Sequence, residues 1–600
     1  MQPIVDCHKS DSSTTRTKIV CTLTPQRADE ATLRQLVEAG MDVVRVNFSH
    51  MSVGDADPML EAIARVRAEM NIPLAVLLDT KGPEVRIFGF AEPVELKRGD
   101  RIIIHSYIDD DIEESIAPAE KRFHTNLHNV GKLVEKGARV LLMDGYIEGN
   151  VIGREPDAIE VEINNDGCLR PRAHLSLPGV DYPLPFLSQK DAEDIRYAVR
   201  AGFDYLALSF VRTAEDIFQV KHLIRETDAN SSIRIIAKIE SKQAIEHLDA
   251  IIQYSDGVMV ARGDLGVELD LEDVPIMQKR IIEQCYLSGK PVITATQMLE
   301  SMIHNRVPNR AEVSDVANAC YDLTSAVMLS GETAIGDHPN LVVSTMDRII
   351  RRVESSFDYE SMLMRHKEKV QTRDLTTIIG YNAVSTAYQC KASALVVFSK
   401  SGYSARMISK LRPHLPILAF TPDEKVYHQL SLNWGVFPRT VPDMIDFEQM
   451  VTYALDVAED EGLVKRGDLV VIVAGLPLGK RGTTNMIRVE SVGKNRLPGR
   501  VLHGGEVTSS IVHVETDADL EHKGIAGCIV VLGHFEKSFT TSLRYASGII
   551  SPNDEFAGDL EVLGMAYSIP VIVGVRNADT LLPEGVTVRI DSENELVIEV

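Results

Sequence analysis

Lys238 and Glu240, in the segment AKIES, carry the most pointed chemistry of the 600-residue sequence. Alternate residues of an extended strand share a face, so these two side chains project together. A carboxylate that grips a divalent ion, beside an ammonium that neutralises migrating negative charge, is the pairing that phosphoryl transfer needs. Asp264, in MVARGDLGVE, adds a second carboxylate suited to Mg2+. The ARGD turn is expected to open a short helix whose free N–H groups, around Gly263 and Asp264, face an anion. Thr296, in TATQM, places a hydroxyl nearby. Upstream, RVNFSH offers Arg45 as a fixed cation for phosphate, with neutral oxygens on Asn47 and Ser49. LLDTKGPEVR adds Asp79 and Thr80, and Arg86 as a second phosphate-type cation. Hydroxyl and amide oxygens with one carboxylate make a low-charge cage, better suited to a monovalent cation than to Mg2+.

These residues need a scaffold that brings them together. From residue 17 onward, short apolar runs alternate with helical periods: TKIVCTL, VVRVNF, LAVLLDT, YLALSF, IRIIAKIE, GVMVARGD, PVITATQM and SAVMLSGE. Helices are expected around Arg27 to Ala39 and Pro58 to Met70. Eight apolar strands alternating with helices predict an α/β fold, a closed parallel (β/α)8 TIM barrel. Asn47, Asp79, Lys238, Glu240, Arg262, Asp264 and Thr296 then fall at strand ends, which converge on one mouth. Polar residues end many strands, but a lysine, an arginine, a threonine and several carboxylates together exceed that background.

The rhythm breaks over 83–180, where short strands and turns read as an all-β insertion, a lid. The barrel occupies 1–82 and 181–345 on this reading. A second α/β unit is expected over 346–490, and a small β/α module over 491–600, with KNRLPGR as a linker rich in Pro, Gly and charge.

A net charge of −24 disfavours nucleic acid and anionic membranes as partners, both being polyanions. Seven scattered cysteines form no C-x-x-C pair, which fits a reducing cytoplasm. The polar N-terminal stretch lacks an apolar signal core, and the apolar runs are too short to span a bilayer.

The five strand-end motifs, in this order, resemble pyruvate kinase, with MVARGDLGVE and LDTKGPEVR the most specific. The resemblance runs from about residue 16 to 490. It implies phosphoenolpyruvate and ADP/ATP as partners, Mg2+ and K+ as cofactors, and a homotetramer. It implies that Arg45 binds the substrate phosphoryl group and that Asn47, Ser49, Asp79 and Thr80 ligate K+. His50, Arg86 and Lys190 are expected at the nucleotide. Lys238 is expected to stabilise the transition state, with Glu240 and Asp264 on Mg2+. The backbone at Gly263 and Asp264, with the Thr296 hydroxyl, is expected to hold the substrate carboxylate, and Thr296 to relay a proton. Glu84 occupies a position where the family separates K+-dependent enzymes, with Glu, from independent ones, with Lys.

Residues 172–179 depart from the family: RAHLSLPG stands where a KGVNLPG-like stretch is usual, and Asp144 sits where DDG is common. Further on, FSKSGYSARMISKLRP resembles the family's effector loop. Ser399, Lys400, Ser401, Gly402, Tyr403 and Ser404 gather hydroxyls, a cation and N–H groups that suit a phosphate. Lys480 and Arg481, in GLPLGKRGTTN, add charge from a second loop, so a phosphorylated activator is expected. The tail resembles the swivelling phosphohistidine domain of phosphoenolpyruvate-utilising enzymes, yet DEFAGD puts Asp559 where the histidine belongs. That substitution argues against a phosphoenolpyruvate phosphotransferase that uses the tail as carrier. The intact barrel motifs argue against a non-catalytic sensor.

Overall fold

The structure is a computed structural model that describes residues 15–600 except 50, 107–120, 181, 370–373, 444–445, 476–483, 494–495, 594 and 600. His50, Lys480 and Arg481 therefore lie outside the described residues. The eight expected strands form: β1 (Lys18–Leu23), β2 (Val43–Asn47), β3 (Ala75–Asp79), β4 (Tyr205–Leu208), β5 (Arg234–Ile239), β6 (Gly257–Ala261), β7 (Val292–Ala295) and β8 (Ala326–Leu329). They close into a parallel barrel in sequential order, β1 lying between β8 and β2.

Strand parity then sorts the side chains. Val20, Val43, Leu77, Tyr205, Ile236, Met259, Ile293 and Met328 form one cluster inside the barrel. Their neighbours in sequence, such as Val44, Val46, Leu78, Leu206 and Ile235, pack outward with the helices. Two residues beyond the inward Val43, Leu77 and Ile236 come Arg45, Asp79 and Lys238, so the same face that fills the barrel delivers the polar groups to its C-terminal end.

The helix expected around Pro58 to Met70 begins earlier, at Val53. A capping box between Ser52 and Asp55 starts it, and Pro58 is carried inside rather than at the first turn. Over 83–180 a seven-stranded sheet and a two-stranded sheet enclose a separate core that includes Ile102, Phe123, Val140 and Val161. The two ends of this insertion are zipped together: Ile87 N donates to Ala173 O at 2.9 Å, and Leu175 N to Val85 O at 2.9 Å.

Beyond the barrel, β9 (Ala394–Phe398), β10 (Ile417–Thr421) and β11 (Val436–Thr440) pair in parallel within a five-stranded sheet. The tail forms an eight-stranded sheet. Within it Arg496–Pro498, part of the expected linker, pairs antiparallel with Leu596–Glu599. Pro498 ends its strand at the register position of Leu596, so the proline costs the ladder nothing in the middle of a sheet. Among the described residues no helix is long and apolar enough to cross a membrane.

Candidate active site

Asp79, at the end of β3, is the hub of the barrel mouth. It is 1 % exposed and receives two cations on separate oxygens. Arg45 Nε meets Oδ2 at 2.7 Å, and Lys238 Nζ meets Oδ1 at 3.2 Å. Arg45 also donates to Thr22 Oγ1 at 2.9 Å. Burial drives the Asp79 carboxyl upward, but Arg45 and Lys238 outweigh it and hold it below the usual carboxylate range.

Lys238 is anchored three ways. Besides Asp79 it donates to Ser209 Oγ at 2.7 Å and lies 2.9 Å from Glu240 Oε1. Burial opposes its charge, yet Asp79 and Glu240 more than offset that, so Lys238 stays an ammonium. Glu240 is fully buried and takes a hydrogen bond from Phe210 N at 2.6 Å through Oε2. Its Oε1 is the oxygen paired with Lys238. Burial pushes the Glu240 carboxyl up, with Asp264 adding to the rise and Lys238 opposing it.

Glu240 and Asp264 line one cavity of about 340 Å3, together with Pro83, His174, Phe210 and Glu268. Lys238, paired with Glu240 and with Asp79, ties this cavity to Arg45. Glu240, pushed up by burial and by Asp264, shares the cavity with that second carboxylate, and such a pair is a donor set a divalent cation relieves. Among the described residues no three Asp, Glu, His or Cys side chains group as a complete cage. Two carboxylates plus substrate and water is the arrangement Mg2+ usually takes.

The ARGD turn opens α1 (Arg262–Glu268), as expected, with Ala261 at its cap. Gly263 N donates to Thr296 Oγ1 at 2.9 Å, which brings the turn and the hydroxyl together. Asn47 is the register partner of Asp79, so the oxygens of β2 and β3 sit side by side. Asn47 Oδ1 accepts from Ser49 N at 3.1 Å, and Thr80 Oγ1 accepts from Ser209 N at 3.2 Å.

The expected nucleotide cations are engaged by protein groups. Arg86 Nε donates to Glu84 at 2.8 Å, and its Nη1 to Arg172 O at 2.8 Å. Lys190 reaches Asp194 at 2.6 Å and Phe48 O at 2.9 Å. In the loop from Ser399 to Ser404, Gly402 takes φ +71° and caps α2 (Tyr403–Ser409). Ser401 O accepts from Arg406 at 3.1 Å and from Arg234, at the start of β5, at 3.0 Å. Lys400 lies 3.7 Å from Asp443, and Ser404 Oγ is 2.7 Å from Thr484 Oγ1.

Sequence reasoning passed over Ser209 and His174. Ser209 follows β4, the one barrel strand of 2–7 from which no group had been chosen, so the strand-end rule already pointed to it. His174 stands in the departing RAHLSLPG stretch, pairs with Asp144 Oδ1 at 3.1 Å and lines the cavity.

Three family models match the chain: the pyruvate kinase barrel domain over residues 14–343, the pyruvate kinase alpha/beta domain over 378–490, and the mobile domain of PEP-utilising enzymes over 524–595. A pyruvate kinase of Staphylococcus aureus strain MRSA252 is 38% identical over 587 residues, covering 97% of this chain and 99% of that protein. The pyruvate kinase of strain USA300 matches equally, at 38% over 587 residues. The crystal structure of a pyruvate kinase from Cryptosporidium parvum superposes with a TM-score of 0.75 at 33% identity, covering 80% of this chain and 96% of that one. A barrel whose mouth carries these groups, in a chain matched along nearly its whole length, belongs to the pyruvate kinase family.

Proposed function

We propose that the barrel mouth moves the phosphoryl group of phosphoenolpyruvate in line onto the β-phosphate of ADP, giving pyruvate and ATP, with Mg2+ and K+ as its cations. The observation that carries this reading is the placement of Lys238 within ionic reach of both Asp79 and Glu240, with Asp264 on the same cavity. Lys238 is held charged and pointed at the mouth, where it neutralises the phosphoryl oxygens during transfer. Arg45, fixed by Asp79 and Thr22, binds the same group in the ground state.

Glu240 and Asp264 would hold Mg2+, which supplies charge neutralisation across the phosphoryl oxygens when bound. A divalent ion there offsets the carboxylates that would otherwise repel a phosphate. Asn47, Ser49, Asp79 and Thr80 would hold K+ at the adjoining strand ends. Thr296 and the α1 backbone at Gly263 and Asp264 take the substrate carboxylate, and Thr296 relays a proton to the enolate carbon, taking one from an ordered water as it gives one up. Arg86, Lys190 and His50 serve the nucleotide, Arg86 by exchanging its Glu84 pairing for a phosphate. The lid over 83–180 excludes water.

The loop from Ser399 to Ser404 is read as a phosphate site for a metabolite activator. Cytoplasmic location and a homotetramer follow the family resemblance, the latter being checked by sedimentation.

A coupled assay of pyruvate formation from phosphoenolpyruvate and ADP tests the reading. Activity is expected only with Mg2+, and to fall sharply when K+ is omitted; full turnover without K+ contradicts the cation assignment. Glu84→Lys is expected to reduce the K+ requirement, because a tethered ammonium replaces the monovalent charge.

A further inference from the structure

Arg262 has no part in the reaction as described, yet its guanidinium is the most heavily bonded in the barrel mouth. Its side chain is 11% exposed. Nε donates to Ala295 O at 3.2 Å. Nη2 donates to Thr296 O at 2.6 Å, to Gln297 O at 3.3 Å and toward Met298 Sδ at 2.8 Å. Nη1 is anchored on Asp315 at 2.7 Å and Gln278 at 3.4 Å. Three successive carbonyls therefore converge on one planar cation.

Those carbonyls belong to a strained turn. Thr296 has φ +66° and Gln297 φ +53°, both left-handed. For a β-branched residue that conformation is an outlier, and it persists only where the surroundings over-determine it. Within this turn the Thr296 hydroxyl accepts from Gly263 N at 2.9 Å and donates to Ala295 O at 2.7 Å. Only a rigid fork of five donors answers three carbonyls and a carboxylate at once; the ammonium of lysine is a single point with three donors.

We infer that Arg262 is the positioning residue that holds Thr296 in its left-handed conformation, and so aims the hydroxyl at the substrate. Asp315 acts one step further out by fixing the guanidinium. The inference rests on the reading of Thr296 as the group that meets the substrate.

A double-mutant cycle in the full-length enzyme, read by steady-state kinetics and thermal melting, tests it. Arg262→Lys is expected to lower kcat about 100-fold, the usual cost of a catalytic group displaced by an ångström. The KM for phosphoenolpyruvate should rise as well, since Thr296 also holds the substrate carboxylate. In a Thr296→Ala background the same substitution is expected to cost less than about threefold, since nothing remains to be aimed. An equal loss in both backgrounds overturns the inference while leaving the role of Thr296 intact. Near-normal turnover of Thr296→Ala alone overturns the underlying reading, and is distinguishable from that result. If Arg262→Lys melts early, Asp315→Asn serves instead: a smaller kcat loss that disappears in Thr296→Ala supports the inference, and an additive loss refutes it.

Discussion

At the scale of single residues, the active site is a charge network whose members were legible as types but not as partners. Strand parity alone places Lys238 and Glu240 on one face. It does not say that Asp79 takes both Arg45 and Lys238, because that depends on which strands close beside one another. Arg86 and Glu84, two residues apart and read as serving nucleotide and K+ separately, turn out to pair with each other. His174 was invisible for a different reason: it lies in a stretch that departs from the family. Burial works against its imidazolium, but Asp144, with Asp264 and Glu84 beyond, raises it above the ordinary histidine value of 6.5. Hydrogen bonding to His174 in turn lowers Asp144, against the opposing push of burial. A raised histidine stabilises the fold fully below its unfolded value and loses that contribution as pH rises through the folded one. The Asp144–His174 pair should therefore favour the folded insertion in mildly acidic solution, and fade above neutral pH. Thermal melting from pH 6 to pH 9 is expected to show that slope in the wild type and a flatter profile in Asp144→Asn. Equal slopes would remove the pair from the account.

At the scale of elements, the barrel was readable because eight apolar runs at helical spacing admit few other folds. The start of the helix at Val53 was not, since Pro58 resembles a first-turn proline while Ser52 and Asp55 do the capping. Residues 496–498 illustrate the converse, where a composition typical of linkers still donates a strand to an edge that needs one. The turn after β3 shows how tightly an element can constrain the chemistry. Gly82 has φ +74°, and a Cβ there would meet Ser209 Cβ at 2.8 Å and Ser209 O at 3.0 Å. Its N–H and that of Lys81 both donate to buried Asp191 Oδ1, at 3.2 and 3.1 Å. Gly82→Ala is expected to destabilise the fold by about 1–3 kcal/mol through left-handed strain and overlap. It should also lower kcat, because Ser209, which holds Lys238, has to move. Chemical denaturation and turnover measured on the same preparation check both effects; unchanged values in both would show that the turn is slack.

At the scale of the whole molecule, the family likeness extends through the tail, yet the tail's own chemistry does not follow. Asp559 sits in the first turn of α3 (Ala557–Tyr567), at the position where the sequence resemblance leads one to expect a histidine. A carboxylate there cannot serve as a phosphohistidine, so Asp559→Ala is expected to leave turnover unchanged; a large loss would give the tail a direct part in the reaction. The central claim is that one ammonium, held by Asp79, Ser209 and Glu240, neutralises the phosphoryl group in flight. The most direct measurement is the turnover of purified, folded Lys238→Met with saturating phosphoenolpyruvate, ADP, Mg2+ and K+. Loss of one preorganised charge contact predicts a kcat lower by about 10²–10³, or more. A variant that turns over at close to the wild-type rate would contradict the assignment of Lys238 and the mechanism built on it.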